Sequence, residues 1–247
     1  MVLGNELAGQ LIAENRGKDN RKMPLKTQMR ILSMFFCLVF IIHNGFGQTK
    51  PEEILVKTAP TEKVFTDLNE ALLAPEKVIR LSLNNQDFTK TGFEFLPKFK
   101  NLQYLSLRND HITTLPPQLS QLSNLKVLDL GANNLKVLPK SFIKLQNLEE
   151  LYLDNEPSLS LKQEMPILGQ LPKLRILHLD NNGVYKLPTS INKLTHLEQL
   201  YLSNNLLRVV PHEIKGLKNL KYLDINHNPL PPIVSMPNQE GGLRIKF

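Results

Sequence analysis

Tyr152, His178 and Tyr201 are the side chains of this sequence best suited to hold another molecule. Each is the central residue of a short x-L-x-L-x segment that recurs at a nearly constant spacing. Such alternation predicts a strand whose leucines point into a core while the residues between them face outward. Because neighbouring strands lie about 4.8 Å apart, we expect the three rings to form one exposed patch. Clustered surface tyrosines are typical of protein-binding sites; the alternative is that tyrosine simply suits a strand.

Further polar and aromatic side chains fall on the same outward face, at the central strand position or two residues to either side of it. They add carboxylates around His178 and tyrosines toward both ends of the face. The additional predicted binding residues are Tyr104, Glu150, Asp154, Asp180, Tyr222 and Asp224.

These residues do not suggest catalysis or metal binding. His178 and His227 lie two segments apart, about 10 Å by strand spacing, which is too far to share a metal without other ligands. Asp154 and Asp180 are neighbouring carboxylates, but an open sheet lacks the enclosed pocket that tunes a pair of acids. The sequence contains neither a glycine-rich phosphate loop with a lysine nor a G-x-S-x-G segment. We therefore expect no catalytic residue, no metal site and no cofactor.

A repeated unit of 23 residues positions the outward-facing side chains. Its clearest copies are residues 125–147, 174–196 and 197–219, which share the pattern L-x-x-L-x-L-x-x-N-x-L-x-x-L-P-x-x-I-x-x-L-x-x. From about Val78 to Leu230 the chain resembles the leucine-rich repeat family, because many apolar positions, an Asn and a Pro recur in phase. Seven copies begin at Val78, Leu102, Leu125, Leu148, Leu174, Leu197 and Leu220.

The resemblance implies an α/β solenoid, the right-handed leucine-rich-repeat horseshoe, with a parallel sheet on its concave face. Its convex face would carry short helical or 3₁₀ turns. The residues agree, since several units have a proline after the leucine or valine that ends their first half, and proline is tolerated at the first helical position. These prolines are Pro116, Pro139, Pro188 and Pro211. The predicted binding residues would then line the concave face.

An asparagine recurs where the chain leaves each strand. Its side chain can bond backbone groups of the turn and of the neighbouring repeat, so we predict a structural role for it rather than a binding role. The members of this structural asparagine ladder are Asn133, Asn182, Asn205 and Asn228. Gln86, Asp110 and Glu156 take its place in repeats one, two and four.

Three segments depart from the repeat. The fourth unit is 26 residues long, and we expect a loop at Pro157–Met165 that bulges from the array. Such loops often bind partners, although an insertion of no consequence is an equal alternative. Residues 66–74 predict a short capping helix with Thr66 as its N-cap. The alternating tail, residues 242–247, predicts a final edge strand.

The N-terminal region predicts a secretory signal. An apolar run of 12 residues, Ile31–Ile42, follows Lys26 and Arg30 and is shorter than the roughly 20 residues that span a bilayer. We expect cleavage at about Gly47/Gln48; the alternative is a buried helix or a membrane anchor. The translation start is open among Met1, Met23 and Met29.

Cysteine usage and charge restrict the cellular location and the class of partner that the sequence suggests. Cys37 is the only cysteine, so the mature chain would lack the disulfides that staple the caps of animal cell-surface relatives, which favours a bacterial envelope or secreted protein. Residues 1–47 hold six Lys/Arg and three Asp/Glu, so the net charge falls from +7 to +4 without them. The remaining charges are scattered, whereas a nucleic-acid site needs a clustered basic face.

The sequence thus predicts four segments: an extension with a signal peptide (1–47), a linker with a helical cap (48–77), seven repeats (78–232) and a C-terminal cap or tail (233–247). We expect a monomeric, non-catalytic, exported module that binds a protein partner, with no nucleic acid and no membrane span in the mature chain. One alternative is a cytoplasmic scaffold of signalling complexes, if the leader is not functional. Another is a surface adhesin or glycan binder, which would share the fold.

Overall fold

The computed structural model describes residues 62–88, 92–232 and 242–247. The predicted signal peptide, its cleavage site at Gly47/Gln48 and the three candidate starts lie outside these residues, as do most of the predicted linker and residues 233–241. Within the described ranges, no helix combines the length and the apolar character that a membrane crossing requires.

One open parallel sheet runs through the repeats, and the order of its nine described strands follows the order of the chain. Equivalent positions pair in register, so that Leu128 lies opposite Leu151, which lies opposite Leu177. The strands are β1 (Val64–Phe65), β2 (Arg80–Ser82), β3 (Tyr104–Ser106), β4 (Val127–Asp129), β5 (Glu150–Tyr152), β6 (Ile176–His178), β7 (Gln199–Tyr201), β8 (Tyr222–Asp224) and β9 (Arg244–Lys246). This arrangement confirms the predicted α/β solenoid.

The core lies between the sheet and the convex turns. The central leucines of neighbouring strands, among them Leu128, Leu151 and Leu177, are fully buried and form one continuous cluster with Phe142 and Ile191 from the convex side. Burying one such side chain contributes about 1.5–3 kcal/mol relative to leaving it exposed. Because every repeat supplies the same inward set, the stacked leucines specify the coil.

The convex side carries short helical turns in place of strands, as predicted. The 3₁₀ turns are Pro75–Lys77, Leu96–Lys98, Pro117–Gln121, Lys140–Lys144, Thr189–Lys193 and His212–Gly216. The prediction placed the repeated proline at the first helical position, and this was wrong by one residue. Pro139, for example, is the N-cap, with ψ of 149°, and its carbonyl accepts the first hydrogen bond of the turn from the Phe142 N–H.

The fourth repeat contains a helix, α2 (Leu161–Leu168), where a bulging loop was expected at Pro157–Met165. Leu161, Met165 and Leu168 share one face at helical spacing, and the last two are fully buried against the core. The extra residues therefore lengthen a helix that packs inward. Pro166 lies inside this helix and costs it one intrahelical hydrogen bond. In the sequence, Met165–Pro166 resembles the Leu-Pro pair of a regular repeat, so the helix was not predicted.

Both ends of the described array are covered. Helix α1 (Leu68–Leu72) begins after Asp67, whose carboxylate accepts from the backbone N–H groups of Asn69 and Glu70, so Thr66 is not the N-cap. The two-residue strand β1, which the sequence did not predict, pairs with β2. At the other end β9 adds to β8 as the edge strand that the alternating tail predicted.

Candidate functional site

The sheet register brings the predicted concave residues together. Tyr152 pairs with His178 across β5 and β6, and His178 pairs with Tyr201 across β6 and β7. The buried leucines on either side of each residue fix the strand orientation, so these side chains emerge side by side on the opposite face.

Their rings stack into an aromatic ladder, which we define as Tyr152, His178, Tyr201 and Tyr222. The Tyr152 and His178 ring centroids lie 3.9 Å apart with the planes 8° from parallel, and those of His178 and Tyr201 lie 4.3 Å apart at 12°. Tyr222 continues the row at 5.4 Å from Tyr201, tilted by 50°. Parallel rings this close cover each other's faces, so the ladder presents mainly ring edges and polar atoms to solvent.

Hydrogen bonds to neighbouring side chains also hold the aromatic ladder. His178 Nε2 lies 3.0 Å from Glu150 Oε1, and the Tyr201 hydroxyl donates to Gln199 Oε1 over 2.9 Å. Glu150 is buried, and its second oxygen has no hydrogen-bond partner among the described residues. Stacking and hydrogen bonding together restrict the rotation of His178 and Tyr201.

Arg108 organises the neighbouring carboxylates and was not among the predicted binding residues. Its guanidinium donates twice to Asp154, over 2.8 and 2.6 Å, and once to Asp129 over 2.9 Å. Gly131 makes this reach possible, because a Cβ at that position would lie 2.5 Å from Arg108 Nη2. The signal in the sequence was the alignment of Arg108, Gly131 and Asp154 at one strand position in successive repeats.

Asp154 and Asp180 do not act as a matched pair. Burial alone would raise the pKa of Asp154, but the hydrogen bonds and charge of Arg108 outweigh it and hold that pKa below its ordinary value. Asp180 accepts from the Ser203 N–H and hydroxyl, and burial raises its pKa. One carboxylate is neutralised by an arginine and the other is held by neutral donors, so the acids serve separate structural contacts.

Exposure divides the predicted binding residues into two groups. Glu150, Tyr222 and Asp224 are buried, contrary to the prediction of an exposed face, because side chains on strands this close cover one another. Asp224 also pairs with Lys246 over 3.1 Å, and burial raises the pKa of Tyr222 to about 12. The half-buried residues that remain accessible are Tyr104, Tyr152, Asp154, His178, Asp180 and Tyr201.

The asparagine ladder is bonded to backbone. Asn205 Oδ1 accepts from the N–H groups of Asn182 and Val184, and its amide donates to the carbonyls of Leu179 and Leu202. Equivalent bonds join Asn133, Asn182 and Asn228 to their preceding repeats. One neutral amide thus satisfies donors and acceptors in two repeats at once.

Two acids occupy this ladder in the irregular repeats. Glu156 accepts from the N–H groups of Asn133 and Leu135 over 2.5 and 2.7 Å, and burial raises its pKa to about 7. Asp110 accepts from the Gln86 N–H over 2.7 Å, while its other oxygen has no partner among the described residues. Burial raises the pKa of Asp110 to about 6.

Side-chain geometry gives no indication of metal chemistry in the described residues, where no three His, Cys, Asp or Glu side chains converge as a metal site would require. A cavity of the described part lies elsewhere, on the flank of repeats four and five. The concave face itself is the open outer surface of the sheet.

Comparison with known families identifies the repeat. Residues 76–165 match the model of the leucine-rich repeat region, and residues 172–230 match the leucine rich repeat model. The chain belongs to the leucine-rich repeat family. None of the curated proteins matches the sequence.

Solved structures of leucine-rich repeat proteins share this fold. A leucine-rich repeat protein of Leptospira interrogans is 28% identical over 68% of this chain and 54% of its own, with a TM-score of 0.52. A chain of the Drosophila Toll–Spätzle complex is 26% identical over 62% of this chain and 21% of its own, with a TM-score of 0.54. An internalin of Listeria monocytogenes, 22% identical over 67% of this chain and 46% of its own, shows the fold alone at a TM-score of 0.51.

This leucine-rich repeat chain spans about half the length of the Leptospira protein. Leucine-rich repeat domains commonly serve as protein-interaction modules, and the family is typically a non-catalytic scaffold. Family membership carries the fold and this general role, while the particular partner depends on the concave side chains.

Proposed function

We propose that this leucine-rich repeat chain is an exported, non-catalytic module that holds a protein partner against its concave face. Tyr152, His178 and Tyr201 are the central anchors. The observation that carries the proposal is their stack, with centroid separations of 3.9 and 4.3 Å. Large rings already held in place lose little side-chain entropy when a partner docks, so their contact area translates efficiently into affinity.

Charge around the ladder supports a protein partner of mixed polarity. Asp154 is neutralised by Arg108, whereas Asp180 is bonded only to neutral Ser203 among the described contacts and remains available to a partner's donor. An aromatic centre with a polar rim is the usual anatomy of such an interface.

Ring orientation disfavours the glycan-binding alternative. A sugar packs its C–H groups on the flat face of an aromatic ring, and stacking covers both faces of His178 and the inner face of each flanking tyrosine. The ring edges that face solvent suit the peptide groups and side chains of a protein.

A pull-down tests the concave face. Tyr152→Ala/Tyr201→Ala is expected to lower the recovery of cross-linked partners at least about tenfold, since truncating a central interface residue commonly costs about 2 kcal/mol or more. The control is Leu73→Ala, which truncates a large side chain that is 85% exposed and lies outside this face. Circular dichroism would establish that both variants are folded, and equal recovery by the double variant and wild type would reject the concave site.

Export is tested separately by the N-terminus of the mature protein. The apolar run Ile31–Ile42 behind Lys26 and Arg30 supports cleavage, and mass spectrometry of the envelope and medium fractions should find a chain that begins at Gln48. An uncleaved chain in the cytosol would favour the scaffold alternative.

A further inference from the structure

A groove lies on the flank of the array, between the start of α2 and the following repeat. It has a volume of about 630 Å³ and is lined by residues 159–162 and 182–190. This volume is within the range of about 300–1,000 Å³ typical of ligand-binding clefts. Leu159, Leu161, Val184 and Leu187 supply its apolar lining, and Tyr185 stands at its rim.

The groove arises from the way α2 meets the next repeat. At the C-terminal end of α2 the approach is close, because a Cβ on Gly169 would lie 2.6 Å from Lys193 Cβ. The N-terminal end, at Leu161, faces the segment that leaves β6, and the groove opens there. A regular repeat carries a five-residue 3₁₀ turn at this place, as at Lys140–Lys144, so the groove is a product of the longer fourth repeat.

Its chemistry is apolar with a positive rim. Lys162 and Lys186 are the charged residues among those lining the groove, and no acid accompanies them. Both are exposed and make no ion pair with any residue the structure describes. Ser190 Oγ, also in the lining, is buried and has no hydrogen-bond partner among the described residues. The groove therefore offers an apolar contact, two cations and one unused hydroxyl.

We propose that this groove is a second binding site, which takes an acidic peptide segment of a partner protein. An apolar side chain of the segment lies against Leu161, Val184 and Tyr185, and flanking carboxylates pair with Lys162 and Lys186. No residue of the groove belongs to the aromatic ladder, so the two sites bind independently.

Two features favour a peptide over an anionic membrane surface. The apolar contacts lie in a concavity that a flat bilayer cannot enter. Recognition of anionic lipid usually takes a cluster of about 4–8 basic residues, whereas two lysines line this groove.

Selection from a phage-displayed library of random linear peptides on the immobilised full chain tests the site. Enriched sequences should carry acidic residues beside an apolar one. The best synthetic peptide, measured by fluorescence polarisation, should bind Lys162→Glu/Lys186→Glu at least about tenfold more weakly, as expected when attraction becomes repulsion. Its affinity for the wild type should fall as salt rises.

Matched variants locate the binding. Lys215→Glu/Lys218→Glu makes the same charge change on exposed lysines of the convex side and should leave affinity unchanged, as should Tyr152→Ala/Tyr201→Ala. Enriched peptides without acidic residues, or equal binding by the groove variant, would overturn the proposal. A peptide lost only with the tyrosine variant would place its site on the concave face, against this inference and in favour of the proposed function. Lysine-dependent binding to phosphatidylserine vesicles without peptide binding would replace the peptide with a membrane.

Discussion

Repeats four and six stack in the same sheet but differ at the position of the asparagine ladder and on the convex side. Repeat six has Asn205, a neutral amide bonded in both directions, and a short 3₁₀ turn at His212–Gly216. Repeat four has Glu156, which accepts two hydrogen bonds but carries a buried acid, and the longer α2. In repeat six the amide gives hydrogen bonds to backbone N–H and carbonyl groups alike. In repeat four the acid introduces a titratable group, and the longer helix opens a groove. Two substitutions test this difference, and a third tests the turn after β4 in repeat three.

The largest effect is expected at the regular position. Asn205→Ala removes the side-chain partner of the Asn182 and Val184 N–H groups and of the Leu179 carbonyl, and each buried polar group left without a hydrogen bond costs about 1–3 kcal/mol. The Leu202 carbonyl keeps the Asn228 amide as its donor. We expect the free energy of unfolding to fall by about 3–5 kcal/mol in urea titrations, since part of the loss relaxes. Asn219→Ala, which removes one exposed hydrogen bond to the Thr195 carbonyl, is the control and should cost about 0.5 kcal/mol. An equal loss of unfolding free energy in the two variants would contradict a special role for the asparagine ladder.

Repeat four should make stability depend on pH. The folded-state pKa of Glu156 is about 7 against an ordinary 4.5, so its contribution is fully present below about pH 4.5 and is lost as pH rises through about 7. Glu156→Asn restores the neutral amide of the other repeats. Relative to this variant, the wild type should lose about 2–3 kcal/mol between pH 5 and pH 8, because one pKa unit corresponds to about 1.4 kcal/mol.

Denaturant midpoints of both proteins across this pH range measure the effect. Asp110 is present in both, so its own titration cancels in the difference. A constant gap between the two curves would show that Glu156 stays charged in the folded state.

The smallest effect is expected at Ala132, in the turn after β4. Its φ is 57°, at a place where other repeats have Asn85, Asn109 or Asn155 with similar angles. Asn adopts this left-handed conformation more readily than Ala, so Ala132→Asn should stabilise the chain by about 0.5–1 kcal/mol. Ala132→Val, whose branched side chain suits this conformation least, should destabilise it, and thermal unfolding of the pair measures both. The opposite order would contradict the backbone argument.

Most of the fold could be predicted because it rests on local periodicity. The alternating leucines predict the strands, and each proline predicts the turn that follows it. Helix α2 could not be predicted in the same way, since Met165–Pro166 resembles a repeat's Leu-Pro pair while Pro166 lies inside the helix. The N-cap was displaced from Thr66 to Asp67 because both residue types suit that position.

The candidate site was less predictable because it depends on contacts between repeats. Strand alternation predicts that Tyr152, His178 and Tyr201 share one face, but it does not predict how deeply each side chain is buried. Glu150 is buried and its carboxylate lies 3.0 Å from His178 Nε2, a contact that spacing does not specify. Groove formation beside α2 depends on how a helix of the fourth repeat meets the fifth, which no local pattern encodes.

The reach of Arg108 has a consequence for how the array unfolds. In a linear solenoid, free energy is expected to come from each repeat and from its nearest neighbours. Arg108 belongs to repeat two, yet it binds Asp154 of repeat four across Gly131. We expect this next-nearest-neighbour coupling to add cooperativity among repeats two to four that contacts between adjacent repeats alone would not give.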